Sequence, residues 1–219
     1  MNQLFFSHTW RPDKLGRNNH DRVKELVHKI HKLGWSTWFD EYNMIGNIDA
    51  SMAAGIDNCE CVIVCLTESY CLKINETARN PRKRDNCHKE WNYSCNRDKL
   101  MIPIIMESHM LDTSKWPAGV VPLHLGSTLY LDASTDDVMD KCMDELHKML
   151  IHYSIEPTKD KDVKKPEFKR SSSKSSFRDS FVTRVNSLSN IYGSAKLAHN
   201  PRTRHSWPST KKILGEITL

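Results

Sequence analysis

Apolar residues recur with helical spacing in four segments of the first 154 residues. Val23, Leu26, Val27, Ile30 and Leu33 follow an i, i+3, i+4, i+7, i+10 pattern, which predicts one face of a helix that ends at Gly34. The other three predicted helices are a segment marked by Ile48, Met52 and Ile56, the segment 86–97, and a stripe from Val138 to Tyr153. These helices are separated by shorter apolar segments.

The shorter apolar segments predict five strands. They are Gln3–Ser7, Trp35–Phe39, Cys61–Thr67, Leu100–Met106 and Ser127–Ala133. The third and fourth are almost continuously apolar, which is typical of strands buried on both faces of a parallel sheet. Alternation of such strands with helices predicts an α/β fold, a flavodoxin-like five-stranded parallel sheet flanked by helices on both faces.

Ligands of such sheets bind at the carboxyl ends of the strands. The segments expected there are the loops 7–20, 40–46 and 67–86. They lack the glycine-rich phosphate loops of Rossmann and P-loop proteins, because no two glycines lie within five residues of each other. They also lack the acidic residues of a phospho-acceptor receiver domain and the G-x-S-x-G turn of an α/β-hydrolase. Most of the common enzymes of this architecture are therefore excluded.

Charge divides the chain of 219 residues, whose net charge is +5. Residues 1–154 carry a net charge of −3, whereas residues 155–219 carry +8 together with 11 serines. This contrast predicts a globular domain at 1–154 and a basic, Ser-rich, mostly disordered tail at 155–219.

Within the tail, apolar residues near 176–192 recur at helical spacing, either by chance or because they form an amphipathic helix. Kinases or an anionic membrane are the partners expected for this tail, and its few aromatic residues argue against nucleic acid.

We expect the protein to act in the cytoplasm, either free or recruited to a membrane. No segment reaches the length of about 18 apolar residues that a membrane span needs, and the first residues do not resemble a secretory signal. The seven cysteines are an odd number at irregular spacing and include no C-x-x-C pair. They are expected to be reduced and packed as small apolar residues, without a metal site.

Five motifs, in order, resemble the TIR (Toll/interleukin-1 receptor) domain family. F-F-S-H-T-W at 5–10 resembles its first strand, W-F-D-E-Y-N-M-I-G-N-I at 38–48 its second strand and BB loop, and C-V-I-V-C-L-T-E-S-Y at 61–70 its third strand. D-N-C-H-K-E-W at 85–91 resembles the family's helix αC, and I-P-I-I at 102–105 the strand after it. The resemblance covers about residues 1–153.

The resemblance implies one of two functions. Some TIR domains cleave NAD+ to nicotinamide and ADP-ribose or a cyclic product, and others are non-catalytic adaptors that bind TIR domains through the BB loop. The catalytic Glu of the enzymes corresponds to Glu90, and NAD+ is then a substrate, with no cofactor implied. Glu90 and Cys87 favour the enzyme, whereas Asn86 and Thr9 depart from its pattern and favour the adaptor. Self-association and other TIR domains are the expected partners in both cases.

One carboxylate suits the cleavage of NAD+. Positive charge develops on the ribose as nicotinamide leaves, and a fixed carboxylate stabilises that charge. Glu90 is expected to be ionised at neutral pH without special tuning, since the usual pKa of Glu is about 4.3. The alternative for Glu90 is an ordinary solvated helix residue.

The remaining candidates would line the NAD+ site. They are Ser7, His8, Trp10, Asp40 and Cys87. Trp10 is expected either to stack on a ring of the ligand or to close the core. Asp40 is expected to act either in assembly or as a carboxylate of the turn, and Gly46 to take a positive φ in the BB loop.

Overall fold

The computed structural model describes residues 2–44, 46–80, 82–83 and 85–158. The predicted tail helix near 176–192 lies outside the described residues. Five parallel strands form one sheet in the order β2-β1-β3-β4-β5. The strands are β1 (Leu4–Ser7), β2 (Thr37–Trp38), β3 (Cys61–Leu66), β4 (Leu100–Ile105) and β5 (Leu131–Asp132). This order is that of flavodoxin-like sheets, so the predicted fold class is confirmed.

Helices cover both faces of the sheet. They are α1 (Asn19–Lys32), α2 (Asp40–Asn43), α3 (Ile48–Asp57), α4 (Glu68–Arg79), α5 (Asn86–Asn96), α6 (Val120–Leu125) and α7 (Met139–His152). Phe6 of β1 and Ile63 of β3 belong to a core with α1 and α7. Their neighbours Phe5 and Val62 belong to a second core with α3 to α6. Successive strand residues point to opposite faces, so a continuously apolar strand fills both cores.

The two outer strands are shorter than predicted. Strand β2 has two residues and pairs only with β1, and β5 has two residues and pairs only with β4. The predicted strands at 35–39 and 127–133 are therefore mostly irregular. An edge strand has one neighbour, so few of its residues are held in a ladder, although side chains such as Trp35 remain buried.

Two predicted loops contain helices. The segment 67–86 contains α4, and the segment 40–46 contains α2. The buried face of α4 includes Asn75 and Thr77, so its apolar pattern is weak. A helix start signal was nevertheless present, because the Thr67 side chain accepts a hydrogen bond from the Tyr70 backbone N–H.

The other local predictions hold. Gly46 has φ +74°, as expected for the BB loop. All seven cysteines are free, and six are buried. No helix in the described part of the chain is long and apolar enough to cross a membrane.

The packed chain continues past Ser154. Ile155 is 6% exposed and belongs to the core beside α1 and α7. Gln3 Nε2 donates to the Glu156 carbonyl, and Thr158 Oγ1 donates to Gln3 Oε1 at 2.8 Å. Residues 155–158 thus tie the end of the domain to the start of β1.

We expect Ile155→Ala to lower the free energy of unfolding by about 2 kcal/mol, because it leaves a cavity in a core that closes only partly. Urea denaturation would measure this, with Ile151→Ala as the control, since Ile151 is 44% exposed. Truncation after residue 158 should preserve cooperative unfolding. Equal stabilities of the two variants would contradict the assigned role of Ile155.

Candidate functional site

The carboxyl edge of the sheet brings together residues from distant parts of the chain. Ser7 ends β1 and His8 follows it, while Asp40 follows β2 and begins α2. Glu90 lies on α5, which packs beside β1. The structure thus places five of the six sequence-predicted site residues at or under one edge, with Trp10 at its exposed rim.

Glu90 is buried because of its position on α5. The buried residues of this helix are Cys87, Glu90, Trp91 and Ser94, which share one face at helical spacing. The Asp85 side chain caps the helix by accepting from the Cys87 backbone N–H at 2.9 Å. The same spacing that buries Trp91 therefore buries a carboxyl group, which is 8% exposed.

The Glu90 carboxyl accepts from one hydroxyl group, which is held in turn by a second hydroxyl. The Ser7 hydroxyl donates to Glu90 Oε2 at 2.7 Å, and the Tyr70 hydroxyl lies 2.9 Å from Ser7 Oγ. Within the described residues, no Lys or Arg forms a salt bridge with Glu90. Tyr70 was not among the sequence-predicted site residues, since α4 had been predicted as a loop.

Burial raises the pKa of Glu90 to about 8. The hydrogen bond from Ser7 opposes this rise, and the negative charges of Asp40 and Asp85 add to it. The prediction of an ionised Glu90 at neutral pH is therefore wrong for this conformation. The usual pKa of Glu is that of a solvated side chain, whereas the burial of Glu90 arises from elements that are distant in the sequence.

Cys87 is a packed thiol. It donates from Sγ to the His8 backbone carbonyl at 3.3 Å, and burial raises its pKa well above the usual value of a thiol. A thiol in this state is a poor nucleophile. Its position under the loop that follows β1 supports that loop.

His8 and His20 form a buried cluster with Asp40. His8 Nε2 lies 2.8 Å from His20 Nδ1, and burial lowers the pKa of His8 to about 4. Trp10 stacks on His20 with ring centroids 3.8 Å apart and donates from Nε1 to Asp40 Oδ2 at 2.6 Å. Trp10 is 58% exposed, so it does not close the core. No local pattern in the sequence joins His20 to this group.

Two cavities lie near the carboxyl edge. Glu90 lines a cavity of about 190 Å³ together with residues of α3 and α5, among them Met52 and Tyr93. A larger cavity of about 320 Å³ is lined by Lys14, Arg17 and Glu107, among others, and does not include Glu90. Size alone would favour the second, but the buried carboxyl makes the first the stronger chemical candidate.

Two arginines hold the strand ends. Arg22 donates to the backbone carbonyls of Met106 and Ala133, at 2.7 Å each. Arg17 pairs with Asp13 at 2.6 Å and also donates to the Met106 carbonyl. Both guanidinium groups are thus engaged in fixing the ends of β4 and β5.

Two comparisons with known proteins give a match. The model of the TIR domain family matches residues 4–150. The crystal structure of the TIR domain of the Toll-related receptor TRR-2 from Hydra magnipapillata is similar at 18% identity and a TM-score of 0.47, and the match covers 69% of this chain and 99% of that one. A search of curated proteins gives no match. The family match covers most of the chain, and the protein therefore belongs to the TIR domain family.

Proposed function

We propose that this TIR domain cleaves NAD+ to nicotinamide and ADP-ribose, or to a cyclic product, when it self-associates, with Glu90 as the catalytic residue. The observation that carries the proposal is the buried Glu90 carboxyl at the carboxyl edge of the sheet, bonded to Ser7 and to no cation among the described residues. Burying such a group destabilises a fold, so its presence in a cavity indicates a functional role.

The chemistry requires charge stabilisation more than proton transfer. The bond between the ribose C1′ and the nicotinamide nitrogen breaks, and its electron pair leaves with the neutral ring. Glu90, as a carboxylate, would stabilise the cationic ribose until water adds to C1′ and releases a proton. Ser7, which donates to Glu90 Oε2, would hold the carboxylate in place.

Substrate binding must change the state of the site. At pH 7 a group with a pKa of about 8 is ionised in about one molecule in ten. The cationic nicotinamide ring would favour the carboxylate by its charge.

The cavity of about 190 Å³ is also below the range of about 300–1,000 Å³ typical of ligand pockets, so NAD+ must widen it. Self-association is the step that we propose to open it.

We expect Glu90→Gln to reduce nicotinamide release by at least about 100-fold, because removing a group that stabilises transition-state charge has effects of this size. Purified full-length chain would be assayed with NAD+ at rising protein concentration, both free and tethered to a surface. Glu60→Gln is the matched control, since Glu60 is exposed. Equal activity of wild type and Glu90→Gln would refute the catalytic role.

The alternative proposal is a non-catalytic adaptor that binds other TIR domains through the BB-loop segment 40–46. It is supported by the resting state of Glu90, which is buried and neutral at pH 7 in a small cavity. A wild-type protein that assembles and releases no nicotinamide would favour this function. The same assembly assay, monitored by light scattering, therefore separates the two proposals.

Location and the tail partners are also proposals. We propose that the domain acts in the cytoplasm and that the basic residues 155–219 contact an anionic membrane or a kinase. Their net charge of +8 supports attraction to anionic lipids. Sedimentation with vesicles, with and without residues 159–219, would test the membrane contact.

A further inference from the structure

Three side chains from separate segments converge in the cluster of His8, His20 and Asp40. His8 follows β1, His20 lies in the first turn of α1, and Asp40 begins α2. His8 Nε2 and His20 Nδ1 are 2.8 Å apart, and each lies 3.9 Å from an Asp40 carboxylate oxygen. His8 and His20 are 5% and 6% exposed. Two imidazoles and a carboxylate thus face one point inside the protein.

The outward-facing nitrogen of each imidazole has an oxygen acceptor. His20 Nε2 lies 3.2 Å from Glu41 Oε2, and a carboxylate only accepts. The His8 ring donates to the Phe6 backbone carbonyl, and its other nitrogen, Nε2, faces His20. The inward-facing nitrogens, His8 Nε2 and His20 Nδ1, lie 2.8 Å apart, and both face the Asp40 carboxylate. A cation between them would satisfy all three groups.

We propose that His8, His20 and Asp40 bind a divalent transition-metal ion, with Zn²⁺ as the best fit. Imidazole nitrogen and carboxylate oxygen are both ligands that Zn²⁺ accepts, and three protein ligands leave a fourth position open for water or another molecule. Ligand atoms of a tetrahedral zinc site lie about 3.3 Å apart, because zinc–ligand bonds are about 2.0–2.1 Å long. Binding therefore needs movements of about half an ångström at each side chain.

Neighbouring side chains hydrogen-bond to these ligands or stack on them and so fix their orientation, as is usual in metal sites. Glu41 accepts from the far nitrogen of His20, the carboxylate–histidine–metal arrangement that fixes the ring and raises its basicity. Trp10 donates to Asp40 Oδ2 at 2.6 Å and stacks on His20 with centroids 3.8 Å apart. Phe39 stacks against both histidine rings, at 5.3 Å from His8 and 5.1 Å from His20.

The metal proposal does not require that the protein cleaves NAD+. It joins the loop after β1, the start of α1 and the start of the segment 40–46. A bound ion would fix these three segments relative to each other at the edge of the sheet. The expectation from the sequence that the protein has no metal site is replaced here by a specific set of ligands.

The test is direct metal binding by the full-length chain after chelator treatment. We expect calorimetry to give one Zn²⁺ per chain, and the melting temperature to rise with added Zn²⁺, since an ion that binds only the native state stabilises it. Co²⁺ would serve as a spectroscopic probe. Its visible bands should appear without the near-ultraviolet sulfur-to-cobalt charge-transfer band, which excludes the seven cysteines as ligands.

Variants locate the ion. We expect His20→Asn to weaken Zn²⁺ binding at least about 100-fold, and His152→Asn, at an exposed position of α7, to leave it unchanged. Glu41→Gln keeps all three ligands and should weaken binding about 10- to 100-fold, which keeps the test valid if His20→Asn fails to fold. Absence of binding by wild type, a sulfur-to-cobalt band, or an unchanged affinity in Glu41→Gln and a folded His20→Asn would each overturn the proposal.

Discussion

Replacing Glu90 by Gln is expected to stabilise the protein at pH 9 by roughly 3–5 kcal/mol relative to wild type and to change its stability little at pH 4. The pKa of Glu90 is about 8 in the folded state and 4.5 without the fold. Between these values the native protein holds a proton that the unfolded chain has released. Wild-type stability therefore falls as pH rises from about 4.5 to about 8, and the fall ends above the folded pKa.

The difference between the variants isolates this effect from every other titrating group. Guanidinium denaturation at pH 4, 7 and 9 would measure wild type, Glu90→Gln and the exposed control Glu60→Gln. The curve of stability against pH should diverge from that of wild type for Glu90→Gln and should run parallel to that of wild type for Glu60→Gln. A parallel curve for Glu90→Gln would mean that its carboxyl is already ionised in the folded state.

This measurement bears on function without depending on enzyme activity. If Glu90→Gln stabilises the fold and abolishes nicotinamide release, then the wild-type carboxyl lowers the stability of the protein and is required for its activity. A stabilised variant of an inactive wild type would instead fit the adaptor, with Glu90 as a buried group of the core.

Arg22→Ala is expected to lower the free energy of unfolding by about 3–5 kcal/mol, because it removes a buried charge whose partners remain. The Arg22 side chain is 8% exposed and donates to the Met106 and Ala133 carbonyls at 2.7 Å. It also lies 3.7 Å from Asp13, whose side chain has no exposure. The substitution removes the side-chain donor of the Ala133 carbonyl and the shorter of the two bonds to Met106, while Arg17 still donates to Met106 and Asp13.

The matched control is another Arg–Asp pair in a different environment. Arg97 pairs with Asp57 at 2.6 Å on the surface, and Arg97→Ala is expected to leave the urea midpoint nearly unchanged. The urea midpoint of Arg22→Lys should fall between those of wild type and Arg22→Ala, since the ammonium group of Lys keeps the charge but lacks the planar set of donors of a guanidinium group. Similar midpoints for Arg22→Ala and Arg97→Ala would contradict the role given to the strand ends.

The sequence by itself determined the central part of the fold. The continuous apolar run of β3 requires burial on both faces, and the spacing from Val23 to Ile30 requires one buried face of α1. These are local patterns that depend on strand and helix periods. The same holds for Gly46, whose positive φ follows from its lack of a Cβ. The residue type and position of Glu90 were also available, through its motif at 85–91.

The tertiary structure decided the lengths of the edge strands and the state of the site. The ladders of β2 and β5 depend on where their single neighbours run. The pKa of Glu90 depends on the burial created by β1, α4 and α5 together, and its hydrogen-bond donor Ser7 is itself held by the hydroxyl of Tyr70. His8, His20 and Asp40 meet only because parallel strands bring their carboxyl ends to one edge. Burial, electrostatic fields and convergence are properties of distant segments in contact, and no local pattern contains them.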